Sequence, residues 1–555
     1  MEKGLNGKPE FEGEGSGQAT KNLIDRRGFL KASATAGALF GLGALAACSP
    51  NETSKPAEAE GGEPAVEDAA PTAADQTIET DFLVVGGGIG GFAAALTAKQ
   101  EGLDNVILIE KYPNFGGSTL FAEGIFATHS RAQEEAGYPA VDAQDVLDLE
   151  LDFHHHVIDP QLFKSFIEAS SENVNWLMDQ GVSFASIQVP VLGANCLHIY
   201  EGGNGTSAID VLSKKAVEEY GLDARTDTAA TDLILEGDDV VGVRATAKDG
   251  STIDFMAPYV LLATGGMAAN PDMMEEYTKL DIGKYRFVGG FGADGDGQKM
   301  CEKTIMGRAK NVCAMNMWLN VDGAEIKSTP NFIGGMEGSN IWVNEKAERF
   351  VNEEIAGMPG TLIDCNNAVH SQGRAYSIFD TAHIPFWAEN GTTADFSGFC
   401  PRGVPIDDIP ETLEKAVESD AVQYFRADTI ADLAIQLELD ADALQKTVDA
   451  WNADVAAGAD SAYGKDPSLM FSVSEPPFYG AKLTNGVLTT VGGIRVNEGA
   501  QVCAADGTPV KGLYAAGVAA SGFSGETYSM HAPGTAQGTG VYLGRIAART
   551  AASKA

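Results

Sequence analysis

The sequence predicts an α/β fold in which one parallel-sheet domain is split by an inserted α+β domain. Three observations predict it. A strand, a glycine loop, a helix and a second strand follow one another between residues 80 and 110. A later strand pattern ends on Ala263-Thr264-Gly265-Gly266. A third, Gly512-Leu-Tyr-Ala-Ala-Gly517, restores strand-then-glycine after a long stretch of different texture, so the chain leaves the first domain and returns to it.

Taken in order, residues 1–48 read as an export signal. Arg26-Arg27-Gly-Phe-Leu-Lys31 matches a twin-arginine signal, with Asp25 where Ser or Thr is usual. The Ala/Gly/Leu run over 34–47 is too short for a membrane span. It closes on Leu45-Ala46-Ala47-Cys48, the pattern of a lipobox, in which Cys48 is lipidated and anchors the mature chain on the outer face of the bacterial cytoplasmic membrane. The other reading is an uncleaved leader with an incidental cysteine. Residues 49–78 are rich in Ala, Glu, Pro and Thr without apolar periodicity, as expected of a disordered acidic linker.

The first strand, 81–85, feeds Gly86-Gly87-Gly88-Ile89-Gly90-Gly91 and a helix through Gln100; the second, 105–109, ends at Glu110. Gly86 permits the tight turn, Gly88 lets backbone approach a pyrophosphate, and Gly91 allows close packing of helix on strand. The helix start, with Ile89 and Gly90, offers N–H groups to the phosphates, and Glu110 stands where an acid accepts ribose hydroxyls. Lys111 and a second backbone-rich loop, Gly116-Gly117-Ser118-Thr119, follow at once. That second loop favours FAD over NAD.

The first domain is expected over 79–318, with later cofactor contacts from Ala263, Thr264 and Gly265 and from Asp296 in a further glycine loop. A helix is expected over 159–181, with Leu162, Phe166, Val174 and Leu177 on one face, and strands near 232–236, 240–247 and 255–262. The inserted domain, 319–483, carries helices at 429–437 and 440–455, capped by Thr429 and Asp440, with Leu444, Val448 and Trp451 on one face. The first domain resumes over 484–555, where Gly517 and then Gly534, Thr535 and Ala536 return to the cofactor ahead of a final helix through Arg549.

A net charge of −40 argues against a nucleic-acid partner. The seven cysteines form no C-x-x-C pair, which argues against a zinc ribbon, an iron–sulfur cluster and c-type haem, and no metal is expected. His154-His155-His156 invites a metal reading, but three consecutive residues cannot all face one ion from a helix. The run reads as a solvated helix start near Asp159-Pro160, with one ring turned to the site mouth as the lesser alternative.

These pieces, in this order, resemble the FAD-dependent fumarate reductase and flavocytochrome c superfamily, with its ketosteroid dehydrogenases and urocanate reductases. The resemblance covers about 79–549 and rests on the glycine segments together with Val260-Leu-Leu-Ala-Thr-Gly-Gly266, Arg349-Phe-Val-Asn-Glu353 and Ala375-Tyr-Ser-Ile-Phe-Asp380. It implies a Rossmann-type FAD-binding domain split by an α+β clamp, or capping, domain. It implies non-covalent FAD, since Ser118 stands where membrane-bound fumarate reductases carry a flavin-linking histidine. It implies hydride transfer from flavin N5 to an activated C=C of an α,β-unsaturated carbonyl or carboxylate.

The charged groups by which such enzymes hold a small dicarboxylate are replaced. The proton-donating arginine, four residues after the motif glutamate, aligns with Gly357. A Thr-Glu pair aligns with Phe332 and Ile333, a histidine with Thr489, and a clamping arginine near His531. Phe332, Ile333 and Thr489 are thus the expected substrate-binding residues, and an aromatic or apolar substrate is expected rather than fumarate. The loop over 525–534 holds Glu526, Tyr528 and His531. By resemblance to ketosteroid dehydrogenases, Tyr528 is the expected proton donor or carbonyl-polarising donor, with His531 its partner or replacement and Glu526 a further acid. The other reading is a purely structural loop. Glu353 is expected to hold the clamp together.

With no haem motif in the chain, electrons are expected from a separate cytochrome or quinol-linked donor. The alternative activity is the reverse, a dehydrogenase forming the C=C; a non-catalytic flavin-fold binding lipoprotein is the remaining reading.

Overall fold

Phe82–Val85 and Val106–Ile109 are buried at every position, as parallel strands covered on both faces must be. They belong to a six-stranded sheet in the order Gln501–Cys503, Pro509–Ala515, Val260–Leu262, Phe82–Val85, Val106–Ile109, Asp223–Arg225. Neighbours are parallel except the first two. Leu262 lies opposite both Val85 and Ala515, so distant parts of the chain meet in the middle of one sheet. This is the expected α/β arrangement. The computed structural model describes residues 73–278, 280–281, 283, 285–306, 310–356, 362–394 and 402–554, and these described residues form one compact unit. The expected signal at 1–48 with Cys48, residues 49–72 of the expected linker, and Gly357 lie outside the described residues; the end of that linker is not disordered, because Gln76–Glu79 pairs as a parallel strand with Thr252–Met256.

Phe478–Gly493, 16 residues long, is the spine of a seven-stranded sheet. It pairs with Tyr285–Phe287, Lys310–Asn316, Asn320–Val321, Ala375–Asp380 and Tyr424–Ala427, and Ile341–Asn344 joins through Ala375–Asp380. This sheet takes in chain on both sides of the stretch 319–483, because a strand's own pattern does not name its partner.

Local expectations meet their physical causes in the helices. Pro160–Asp179 is capped by Asp159, whose carboxylate accepts the Gln161 and Leu162 N–H groups, and Leu162, Phe166, Val174 and Leu177 are buried. Thr429 and Asp440 cap Ile430–Gln436 and Ala441–Ala457, and Leu444, Val448 and Trp451 are buried. Burial of each such side chain contributes on the order of 1.5–3 kcal/mol. The strand expected over 255–262 is instead two, Thr252–Met256 and Val260–Leu262, in different sheets. Pro258 sits in the break, where a residue without N–H cannot continue a ladder.

Two features position the site. Ile89–Gln100 crosses the final helix, Thr535–Lys554, at glycines: a Cβ on Gly544 would lie 2.5 Å from the Gly90 carbonyl oxygen. In the second sheet's half, Arg349 donates to Glu353 at 2.9 and 2.8 Å and to Asp460 at 3.0 and 3.1 Å. Lys465 Nζ lies 2.9 Å from Glu353, and the Trp342 N–H donates to Glu353 at 2.9 Å. Glu353, fully buried, is thus a structural hub, as expected of the motif glutamate.

Candidate active site

A cavity of about 1480 Å³, its open mouth included, is walled by both sheets. Its first wall is the glycine loop. A Cβ on Gly86 (φ +113) would lie 2.3 Å from the Ala263 carbonyl oxygen, and one on Gly91 would lie 1.9 Å from that of Gly86, so only glycine fits at either. A Cβ on Gly88 would meet only ordinary van der Waals contacts, at 3.6 Å, and Gly88 lines the cavity, where a ligand can come against its backbone. Gly88, the residue at the N-cap of Ile89–Gln100, has no side chain to cap it. The Ile89 N–H reaches Thr119 Oγ1 at 3.2 Å, and the positive end of the helix is directed at the cavity.

Glu110 is held on the wall by the N–H groups of Gly87 and Tyr112, at 2.9 and 3.0 Å. Lys111 pairs with Asp294 and Asp296; burial pushes the ammonium down, but the two carboxylates more than offset it and keep it charged. Ile89, Gly90, Gly116, Gly117, Ser118, Ala263, Thr264, Gly265, Asp296, Gly517, Gly534 and Ala536 also line the cavity. Gly91 and Thr535 do not. Gly91 serves packing, and the Thr535 hydroxyl is turned to the Ala532 carbonyl. Thr264 Oγ1 and Gln537 Oε1 are buried on the cavity wall without a partner. Glycine backbone, a helix start on the cavity wall, an oriented acid and two orphaned polar atoms fit a bound dinucleotide.

The second sheet supplies Met315, Leu488 and Thr489 to the cavity, the link just after Lys310–Asn316 supplies Met317 and Trp318, and the loop over 525–534 supplies Tyr528 and Met530. Trp318 has φ +68, a left-handed conformation that a bulky side chain rarely adopts; its carbonyl accepts from the Asn320 side chain. Strain of this kind concentrates at functional sites. Tyr528 is 4% exposed, and its hydroxyl accepts the Ala536 N–H at 3.2 Å. Burial pushes the phenol well above its ordinary range, so it stays a neutral O–H donor.

Other expected site residues stand elsewhere. Phe332 and Ile333 lie in the wholly buried helix Thr329–Gly335 and pack in the second core; neither lines the cavity. His531 is half-buried behind the wall, its ring 5.0 Å from that of Phe153 and its Nδ1 without a partner. Asp364 faces it from the helix Leu362–His370: burial raises the Asp364 carboxyl and His531 opposes that rise. Glu526 is exposed and off the wall. The histidine run is not a solvated helix start. His154 is buried, and only His155 and His156 face solvent, both in left-handed turn conformations. The reason is tertiary: the loop bearing Tyr528 covers His154.

Met315, Met317, Trp318 and Met530 were not anticipated. The single local signal is Met315-Asn-Met317-Trp318, alternate methionines at a strand end, which is equally the pattern of an ordinary core strand. Glu123, also on the wall, interacts with Lys327, whose ammonium burial pushes down while Glu123 opposes that shift.

The family described as FAD binding domain matches residues 81–530. The chain is 33% identical over 484 residues to the vinyl phenol reductase of Lactiplantibacillus plantarum, covering 85% of this chain and 96% of that one. It is 26% identical over 483 residues to the NADH:fumarate oxidoreductase of Klebsiella pneumoniae, covering 86% of this chain but 48%, about half, of the relative. Among solved structures it is similar to a flavocytochrome c3 fumarate reductase in its open conformation, with a TM-score of 0.64, 25% identity, and coverage of 86% and 79%.

Proposed function

Since the chain belongs to the FAD binding domain family and is an FAD-dependent oxidoreductase, we propose that it reduces an activated C=C that bears an aromatic group. The observation that carries this reading is the wall of Met315, Met317, Trp318, Leu488 and Met530 beside Tyr528. Thioether and indole groups hold an aromatic ring by dispersion and keep water out. Among the described lining residues the cation is Lys111, already held by two aspartates, so a dicarboxylate would find little to pair with its charge. The relative named for vinyl phenol, an aryl alkene, is in keeping with this.

When bound and reduced, FAD supplies the hydride. Gly86, Gly88, Glu110 and the start of the Ile89–Gln100 helix would hold it. Tyr528 Oη delivers the proton to the second alkene carbon, and Trp318 with the methionines fixes which face of the alkene is presented. The twin-arginine pattern and the run ending at Cys48 support export and lipid anchoring, with electrons from a separate quinol-linked or cytochrome donor.

The test is anaerobic. Purified protein, reduced with dithionite, is challenged with 4-vinylphenol, cinnamate, an aryl enone, urocanate, a ketosteroid and fumarate, and flavin re-oxidation is followed by absorbance. Fast re-oxidation by an aryl alkene and not by fumarate is expected. Fumarate as the best oxidant sinks the proposal. In cells, Cys48→Ala is expected to move the protein from the membrane to the soluble fraction; no change rules out the anchor.

A further inference from the structure

We propose that Glu150 and His154 are positioning residues that pin the loop carrying Tyr528, and so set the reach of its phenol into the cavity; this rests on the assignment of Tyr528 as proton donor. Glu150 lies in the helix Ala143–Phe153 and His154 just after it, one turn apart, both side chains at most 2% exposed. His154 holds the start of the loop and Glu150 its middle. His154 Nδ1 accepts the Gly525 N–H at 3.1 Å, and Glu150 Oε1 accepts from the Ser529 hydroxyl at 2.9 Å. Ser529 in turn accepts the His531 N–H at 3.0 Å. Tyr528 lies between the two pins.

The pair is matched to the loop. Because Nδ1 accepts the Gly525 N–H, the ring proton belongs on Nε2, which stands 3.2 Å from Glu150 Oε2 without a hydrogen bond's geometry. Gly525 lets the loop come this close: a Cβ there would lie 3.0 Å from His154 Nδ1 and 2.9 Å from Val157 Cγ2. This buried pair does not line the cavity and has no contact with a ligand there, but it fixes the height of everything the loop presents.

The test uses the FAD-loaded full chain. His154→Leu removes the acceptor, whereas His154→Asn can place its amide oxygen where Nδ1 stands. For His154→Leu, amide exchange over 523–531 is expected to rise about tenfold with exchange elsewhere and FAD content unchanged. Turnover of 4-vinylphenol is expected to lose about tenfold in kcat with KM within about threefold. His154→Asn recovers both, and Glu150→Ala, which frees Ser529, behaves like His154→Leu. Unchanged exchange in the loop overturns the proposal, and so does a rise spread over the whole unit. If exchange rises in the loop alone while Tyr528→Phe turns over like wild type, the pinning stands and the role of Tyr528 falls.

Discussion

A phenol held at 4% exposure keeps its proton across the physiological range, because burial penalises the phenolate. Tyr528 therefore has the protonation state a donor needs without a base beside it. Tyr528→Phe keeps the ring and its packing but removes the proton, and should lower kcat by roughly 10²–10⁴-fold with little change in KM, measured by stopped-flow re-oxidation of reduced flavin. Since the phenol is raised, the wild-type rate should show no loss from its ionisation below about pH 10. Comparable turnover by the Phe variant would move the proton donor to another group. At this scale the sequence singled out Tyr528, yet it also put forward Phe332 and Ile333, which pack in the second core. Alignment tells which residue stands at a position; whether that side chain faces a cavity or a core depends on the neighbouring helix.

At the scale of elements, the cofactor loop is supported from behind by the final helix. Gly90, Gly540 and Gly544 allow backbone to meet backbone, and a Cβ on Gly544 would meet the Gly90 carbonyl oxygen. Gly544→Leu should force the helices apart at a cost of about 1–3 kcal/mol and weaken FAD retention, measured by thermal unfolding and by flavin content after gel filtration. Full retention with unchanged stability would show that the contact is dispensable. The glycine loop and its two strands were legible because their pattern is local: turn, approach and helix start lie within one short segment. The glycines of the last helix carry no such signature, since their reason lies more than 400 residues away in the chain.

Over the whole molecule, the second half is held by a buried charge cluster. For Glu353, burial raises the carboxyl, but Lys465 and Arg349 outweigh it and hold it below the usual range; Asp460 is held low in the same way, against burial, by Arg349 and the Lys465 and Ala462 amides. Carboxylates with depressed folded-state pKa values stabilise the fold above their unfolded values, near pH 4, and lose that contribution as pH falls toward the folded ones. The guanidinium midpoint should therefore be flat from about pH 7 to 5 and fall below about pH 4. Glu353→Gln leaves Arg349 and Lys465 without their shared carboxylate. It should cost about 3–5 kcal/mol at neutral pH and flatten the acid fall; an unaltered pH profile would exclude the cluster as its source.

The sequence by itself determined the α/β class, the FAD loop, the capped helices and the motif glutamate, because each is written in residues close together or in a fixed period. Only the tertiary structure decided which side chains line the cavity. Met315 reaches it from a strand whose partner is 16 residues long and far along the chain, Trp318 reaches it from the link just after that strand, and His154 is buried because a loop some 370 residues later covers it. Strand pairing and loop closure are long-range choices made by the burial of the whole unit, and no local pattern encodes them.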